Sequence, residues 1–304
     1  MNAKNRFAVV FLCVLAIWIV LNPRGSLIAH CQGLRAIDVV PDEERRSSIH
    51  EVDGYAYLSE DMTVKETRKV AFSNAKRQAV EMAETYIQSK SKVKDGVLAY
   101  DLITSDAQGA VSILEQKDHG IEGNNRYHVW IKAEVKYELK PQNPATAKTE
   151  IMDVNAPLTV KVWSEKEEYA KGEFIRLFIQ GNRDFYARIV NVAADGRLLQ
   201  LLPNKYSSSS FFKGGKTYII PGRKDQFNLK VSPPFGREKV IVYASEVPIS
   251  RIPLEAAGAG LGYYKDSRDA LGRDARGIVP VPAGSGSSSA EFYEAAWNLR
   301  TKPE

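Results

Sequence analysis

The chain has 304 residues, of which 44% are hydrophobic and 26% are charged. These values exclude an intrinsically disordered protein and allow two domains of ordinary size. The formal net charge is +5, but residues 1–33 contain Lys4, Arg6 and Arg24 and no acid, so the remainder holds 39 basic and 37 acidic groups. That near balance gives no strong field to steer the protein onto a polyanion. We therefore expect no nucleic-acid partner.

The N-terminal residues have the pattern of an export signal. Lys4 and Arg6 precede an unbroken apolar run from Phe7 to Leu21, and Pro23 then interrupts any helix. A basic head followed by about fifteen apolar residues is typical of a cleaved signal peptide, whereas a permanent membrane span needs about 20. We therefore predict a signal peptide at residues 1–33 and an exported protein, located in the periplasm or associated with the cell envelope.

Cys31 raises the question of a lipid anchor. The only other cysteine, Cys13, lies inside the predicted signal, so the mature chain has no internal disulfide. A lipidated cysteine normally follows a small residue, whereas Cys31 follows His30. We expect attachment to a membrane only through an uncleaved signal or a lipidated Cys31, and a cleaved signal is the preferred alternative.

Residues 34–47 are polar and charged and predict a solvated spacer. Residues 48–140 then read as strand, helix, strand, strand, which predicts an α+β domain with a helix across an antiparallel sheet. Thr63 and Glu66 have the spacing of a capping box at the start of the helix. The predicted apolar stripe of that helix consists of Phe72, Ala75, Ala79, Met82, Ala83 and Tyr86.

Two parts of this segment carry a family resemblance. They are Gly54-Tyr55-Ala56, together with Ala71 and the run from Asn74 to Val80, and the alternating strand that ends at Leu139. With these residues the segment resembles the N-terminal domain of flagellar assembly protein T and of related bacterial envelope lipoproteins. The resemblance implies a short strand, a helix and a hairpin, and it brings no catalytic residue.

Pro141, Pro144 and Pro157 mark residues 141–157 as a linker. Residues 158–304 then show strands of a few residues separated by turns, which predicts an all-β sandwich. Asp195-Gly196 is a strong hairpin signal within this domain. Further strands are predicted at Thr217 to Ile220, Phe227 to Val231, Lys239 to Ser245 and Glu291 to Leu299.

The second domain also resembles a known family, the domain of unknown function 4384. The residues that carry this resemblance are Tyr169-x-x-Gly172-Glu173, Asp184-Phe185-Tyr186, Asn191 to Gly196, Leu202-Pro203-Asn204, Gly215-Lys216, Ile220-Pro221 and Val231 to Gly236. They occur in the order of the family and at comparable spacings. The resemblance implies a small β domain of exported bacterial proteins and no known activity.

Residues 249–290 are rich in Gly, Ala, Ser, Arg and Asp and contain no clear strand. They predict a long insertion, either an ordered functional loop or a mobile one, and the Gly/Ser run at 284–289 favours mobility. Tyr263 and Tyr264 are candidate partner contacts at its tip. Pro233, Pro234 and Phe235 are candidate contacts of a second kind, with a structural corner as the alternative reading.

The sequence contains few of the residue arrangements that known catalytic, metal and phosphate-binding sites require. The predicted second domain contains no His or Cys, which excludes a nucleophile–histidine pair there. His119 and His128 face each other across a predicted hairpin, but no third ligand accompanies them, and we expect no metal. Gly214-Gly215-Lys216-Thr217 lacks the first glycine of a phosphate-binding loop and leads into a strand. We therefore predict no catalytic residue and no cofactor.

The leading hypothesis is a non-enzymatic protein of the bacterial cell envelope that binds a partner protein or stabilises an assembly. Strand addition at a sheet edge is a plausible contact mode. The alternative is an envelope glycan-binding module or hydrolase that uses Trp163, Tyr186 and Tyr206 as an aromatic platform beside two carboxylates. Rings on one exposed face would favour the alternative.

Overall fold

The computed structural model describes residues 44–90, 92–93, 96–97, 99–102, 111–140, 153–208, 210–223, 225–249, 251–258, 260–277 and 289–304. The predicted signal peptide, Cys31 and most of the predicted spacer lie outside these residues. So do residues 141–152 of the predicted linker and the Gly/Ser run up to residue 288. No helix in the described part of the chain has the length and hydropathy that a bilayer span requires.

The described chain is mostly β-structure with two helices. In chain order the elements are β1 (Arg45–Tyr57), α1 (Val64–Lys90), β2 (Lys92–Val93), β3 (Gly96–Val97), β4 (Ala99–Leu102), β5 (Val111–Glu122), β6 (Arg126–Lys140), β7 (Val160–Ser164), β8 (Glu168–Ala170), β9 (Phe174–Ile175), β10 (Leu177–Gly181), β11 (Phe185–Val192), β12 (Leu198–Leu202), β13 (Phe211–Phe212), β14 (Thr217–Ile220), β15 (Leu229–Lys230), β16 (Arg237–Ser245), β17 (Glu255–Gly258), β18 (Leu261–Tyr264), α2 (Arg268–Gly277) and β19 (Ser289–Lys302).

A twelve-stranded sheet passes through both predicted domains. Its main path is β17-β18-β12-β11-β16-β19-β1-β6-β4, and β5, β8 and β13 pair at its sides. Strand β19 is antiparallel to β1 on one edge and to β16 on the other. The predicted α+β layer and the predicted sandwich therefore share one continuous sheet, and the segment around Ala156 and Leu158 is buried against it.

The helix α1 packs on one face of this sheet through a column of small residues. Ala71, Ala75, Ala79 and Ala83 are fully buried at four-residue steps. Gly54 of β1 lies directly beneath the column, because a Cβ atom added there would come within 2.3 Å of the carbonyl oxygen of Ala71. The buried stripe is thus narrower than predicted, since Phe72 and Met82 lie at its border and are only partly buried.

The capping box at the start of α1 is confirmed. The backbone N–H of Glu66 donates to Thr63 Oγ1 at 3.3 Å, and the N–H of Thr63 donates to Glu66 Oε2 at 2.8 Å. The two side chains thereby satisfy amides that the helix itself leaves unpaired.

A second, three-stranded sheet covers the other part of the same face. Its order is β14-β10-β7. Leu177 and Ile179 of β10 face inward and pack with Ile189 of β11 and Val242 of β16. The two sheets thus pack face to face over a shared apolar core.

The region that was predicted to be a mobile insertion extends one edge of the large sheet and covers part of its opposite face. Residues 255–258 and 261–264 form β17 and β18, which add to the edge next to β12, and residues 268–277 form α2. Leu271 and Ala275 of α2 pack on Ile49 and Phe292 of the sheet. The expectation of no strand between 249 and 290 is therefore wrong for residues 255–264, and the described part of the insertion is a packed layer of the fold.

Arg46 corrects the predicted spacer. It was assigned to a solvated segment, yet it belongs to β1 and is only 6% exposed. Its Nη1 atom donates to the carbonyl oxygen of Leu158 at 2.8 Å and to Thr159 Oγ1 at 2.9 Å. The guanidinium also lies over the ring of Tyr293. These partners satisfy a buried charge that would otherwise be costly.

Candidate partner-binding surface

Several ionisable side chains meet inside the protein, where α1, β6, β16 and β19 converge. Glu291 is 1% exposed, and its carboxylate accepts hydrogen bonds from Tyr137 Oη at 2.9 Å and from Arg183 Nη2 at 2.5 Å. Arg183 also pairs with Glu246, which accepts a hydrogen bond from Tyr86 Oη at 2.6 Å. Burial raises the pKa of Glu291. A carboxylate closed off in this way cannot meet a substrate, so the cluster joins elements of the fold.

A second buried network holds α2 against the sheet. Arg276 Nε lies 3.0 Å from Glu134 Oε1, and Arg276 Nη2 donates to Glu294 Oε2 at 3.2 Å. Arg268 of the same helix also pairs with Glu294. All three residues of the Arg276 pairs are almost fully buried, so this network likewise has a structural role.

A polar cluster lies around His128 on the face of β6 away from α1. His128 Nε2 lies 2.7 Å from Asp53 Oδ1, and Nδ1 lies 2.6 Å from Glu122 Oε1. The rings of His119 and Tyr55 stack on it at 4.4 Å and 4.6 Å between centroids, which confirms that the two histidines face each other. Partial burial lowers the pKa of His128, but its bonds to the two carboxylates outweigh that effect and raise the pKa.

Both ring nitrogens of His128 are thus engaged by carboxylates. Among the described residues, no group of three or more His, Cys, Asp or Glu side chains has an arrangement that could hold a metal ion. The cluster favours a protonated imidazole, and its arrangement provides cross-strand ion pairs between β1, β5 and β6.

The accessible feature of the molecule is the outward face of the three-stranded sheet. The register places Trp163 of β7 and Ile219 of β14 on either side of Phe178 of β10. The indole and the phenyl ring stack with 5.5 Å between centroids. Trp163 and Phe178 are half-buried, and Ile219 is 47% exposed. We call these three residues the outer apolar row.

The outer apolar row exists because each strand of the small sheet alternates. On β10, Leu177 and Ile179 point into the core, so the intervening Phe178 must point outward. A solvent-facing position normally carries a polar residue. Phe174, just before β10, is also 57% exposed. The outer apolar row, whose three residues adjoin through the strand register, is an apolar patch of the kind that is typical of an interaction site.

The strand β14 borders the outer apolar row at the edge of the small sheet. It pairs with β10, and the described residues include no strand on its other side. Gly215, with φ of 72°, makes the turn into the strand. The segment after Gly215 is a strand rather than a helix, which agrees with the rejection of a phosphate-binding loop.

Basic side chains flank both ends of β14. Lys213 and Lys216 precede it and Arg223 follows it, and all three are exposed. Lys216 Nζ lies 5.1 Å from the centre of the Tyr218 ring, which holds it beside the strand. Two carboxylates also lie at the ends of this edge, because Asp184 accepts a hydrogen bond from the N–H of Gly214 and Asp225 accepts one from the N–H of Gly222. The three basic side chains therefore outnumber the acids beside β14.

The contact residues predicted from the sequence lie elsewhere. Tyr264 is 8% exposed, and its hydroxyl donates to Asp274 Oδ2 at 2.5 Å, so its ring packs within the fold. Tyr263 is half-buried beneath the guanidinium of Arg197.

The Pro-Pro-Phe segment forms a corner. Pro233 is exposed, whereas Pro234 and Phe235 are half-buried. The next residue, Gly236, is fixed to β19, because its N–H donates to Thr301 Oγ1 at 3.1 Å and its carbonyl oxygen accepts from the Thr301 N–H at 2.8 Å. The contacts of Gly236 match the alternative reading of this segment as a structural corner.

The three rings of the alternative hypothesis do not share a face. Trp163 belongs to the outer apolar row. Tyr186 alternates with the core residues Phe185 and Ala187 of β11, so it points to the opposite side of the large sheet. Tyr206 is 39% exposed and stacks on a phenylalanine near β15. The sequence identified Trp163 but not its neighbours Phe178 and Ile219, because their adjacency depends on the strand register.

Comparisons with known proteins return one match. A family model described as a domain of unknown function, DUF4384, matches residues 168–248. This supports the resemblance stated for the C-terminal part, whereas the resemblance of the N-terminal part to flagellar assembly protein T is not supported. No curated protein and no solved structure matches the chain. The matched residues include β10 and β14 but not Trp163.

Proposed function

We propose that the protein is a non-enzymatic component of the bacterial cell envelope that binds a partner protein, or stabilises an assembly, through the outer apolar row. The observation that carries the proposal is the outward position of Phe178, which is half-buried, and of Ile219, which is exposed, on a strand face that should be polar. The signal-like pattern of residues 1–33 supports export. The buried carboxylates Glu134 and Glu291, being paired and inaccessible, support a structural rather than a catalytic use of the ionisable groups.

Site-specific photocrosslinking in cells tests the binding role. A photoreactive amino acid at position 219 is expected to give one discrete adduct at native expression. The same group at Tyr57, which is 69% exposed at the end of β1, serves as the control and should give none. Adducts of equal yield at both positions, or none at position 219, would contradict the proposed binding role.

Cell fractionation tests the proposed location. Osmotic shock is expected to release the full-length chain with the periplasmic proteins, and a chain lacking residues 2–33 should stay in the cytoplasm. Retention of both forms in the cytoplasm would rule out the envelope role while leaving the binding surface open to test.

Glycan binding is the second candidate. The half-buried indole of Trp163 and the ring of Phe178 offer stacked aromatic surface next to solvent, and aromatic faces are a common contact for sugars. Co-sedimentation with purified peptidoglycan, compared between the unmodified protein and Trp163→Ala, distinguishes this function. Loss of sedimentation in the variant would favour the glycan reading over a protein partner.

A further inference from the structure

We propose that the edge strand β14 receives an extended, acidic segment of a partner protein as an added antiparallel or parallel strand. The inference rests on the proposed partner-binding function and specifies the partner's chemistry. It follows from three properties of the β14 edge: its open backbone, the outer apolar row beside it and the basic residues at its ends.

The backbone of β14 is open on one side. Residues 217–220 pair with β10, and the described residues supply no backbone hydrogen bond to the other edge of the strand. An unpaired edge presents N–H and C=O groups to any strand that approaches. Thr217, Tyr218, Ile219 and Ile220 all have high β-propensity, so this edge is already in the conformation that strand addition needs.

The edge strand β14 is short and is bordered by Lys216 and Pro221, but it lacks the bulges and in-strand charges that protect other edges from pairing. The outer strand β5 is a protected edge. Its pairing with β6 contains two register shifts, and Lys117 and Asp118 occupy exposed positions on it. Bulges and charges of this kind prevent edge-to-edge association. The pairing of β14 with β10 has no register shift, and the strand itself contains no charged residue and no proline. The contrast within one molecule indicates that the β14 edge is available for binding.

The outer apolar row determines which side chains an added strand would carry. Ile219 is the last residue of the row before the edge, so a side chain of the added strand directly opposite it would extend the row by one position. The partner strand therefore has apolar residues at alternate positions on that face. Its intervening residues point to the other side of the small sheet.

The flanking charges select an acidic partner. Lys213, Lys216 and Arg223 flank the strand, whereas the two carboxylates beside it, Asp184 and Asp225, already accept hydrogen bonds from the backbone N–H groups of Gly214 and Gly222. Carboxylates at the ends of an added strand would neutralise the three basic side chains. A second copy of the same chain is the less favourable occupant, because a two-fold antiparallel pairing of β14 would bring the Lys216 end of one copy next to the Arg223 end of the other.

Binding of synthetic peptides to the purified protein tests the proposal. The probe is a fluorescent peptide of about ten residues with alternating Val and Thr and with Asp and Glu at both ends. We expect it to bind, and we expect affinity to fall by about tenfold or more when the terminal acids are replaced by Lys. N-methylation of alternate amides, on the edge that faces β14, should weaken binding by at least a similar factor, since strand pairing relies on the backbone.

Matched variants locate the binding site. Ile219→Glu is expected to weaken binding of the acidic peptide by about tenfold, through lost apolar contact and added negative charge. Ile121→Glu is the control, because Ile121 is 52% exposed on the protected strand β5, and it should leave affinity unchanged. Equal thermal unfolding of the two variants shows that Ile219→Glu acts on binding and not on folding.

Four outcomes would overturn the inference. They are no binding of the acidic peptide at about 1 mM, equal binding of the acidic and Lys-ended peptides, no effect of N-methylation, or a dimer that Ile219→Glu converts to monomers. The last outcome would identify a second copy as the occupant. An adduct at position 219 in cells, combined with insensitivity to N-methylation, would leave the proposed function intact and reject strand addition alone.

Discussion

The close contact between Gly54 and α1 yields the sharpest prediction of stability. In Gly54→Ala, the new Cβ atom would lie 2.3 Å from the carbonyl oxygen of Ala71 and 2.5 Å from Cβ of Ala75. Ordinary contacts begin at 3.4 Å, so the helix must retreat by about 1 Å, because a close-packed interior has no room to absorb the methyl group. The obstacle includes the helix backbone, which a change of side-chain rotamer cannot relieve.

The cost follows from the same geometry. Inserting one carbon into a packed core costs about 1–3 kcal/mol, and a gap of this size forfeits about a quarter to a half of each neighbouring dispersion contact. Since the whole alanine column loses contact, we expect a cost near the upper end, about 3 kcal/mol. At about 2–4 °C per kcal/mol for a chain of this size, the unfolding temperature should fall by about 6–12 °C.

Thermal unfolding followed by circular dichroism measures this effect. The control is Gly123→Ala, because a Cβ atom at Gly123 would meet no atom within 4 Å, and its unfolding temperature should stay within about 1 °C of the unmodified protein. The packing argument is refuted if Gly54→Ala unfolds at the original temperature or if Gly123→Ala is equally destabilised.

Two further predictions concern acid sensitivity and the helix cap. Burial lowers the pKa of His50 from 6.5 to about 4. Between these two pH values His50 is protonated in the unfolded chain but neutral in the folded protein. The free energy of unfolding should therefore decrease by about 3 kcal/mol as the pH falls from about 6.5 to about 4. Urea unfolding at several pH values checks this, and His50→Gln should show a smaller decrease over that interval; equal slopes would disprove it. Thr63→Ala removes the cap of α1 and should cost about 1 kcal/mol of stability. Thr85→Ala, at an exposed position near the C-terminal end of the same helix, should cost nothing, so a similar loss in both variants would count against the capping role.

The sequence predicted those elements that depend on contacts between residues close together in the chain. The capping box at Thr63, the alternation in β1 and β6, and the turn at Gly196 each involve residues close in sequence, and each is present. The turn differs in detail: only Gly196 has positive φ, since Asp195 lies in an ordinary turn position and bonds to the N–H of Arg197. A three-residue loop of this kind satisfies the hairpin without a second left-handed residue.

Contacts between distant residues account for what the sequence did not predict. Arg46 is buried because Leu158 and Thr159, more than a hundred positions later, supply its acceptors. The helix α2 has only Leu271 and Ala275 as a buried pair and is held by Arg276, whose partners belong to strands elsewhere in the chain. No pattern within either segment reveals those partners, so both were assigned to exposed regions.

The candidate surface was predictable only in part. Trp163 was already singled out, whereas the run from Phe174 to Gln180 is apolar on both faces and predicts a strand that is covered on both sides, so the solvent-facing position of Phe178 was not predicted. That these residues and Ile219 form one row depends on which strands pair and in what register. Register between strands that are far apart in sequence is a tertiary property, and the alternation of residues within each strand does not determine it.

The position of β19 has a consequence for how this chain acquires its structure. Residues 289–302 form a strand that lies between β1 and β16, so a segment that follows every other described strand in the chain completes the middle of the sheet. In a nascent chain that has emerged only as far as β16, the edges of β1 and β16 that will pair with β19 have no partner strand. The large sheet therefore cannot be completed before β19 has been made, and until then its open edges are accessible to chaperones or a translocation channel.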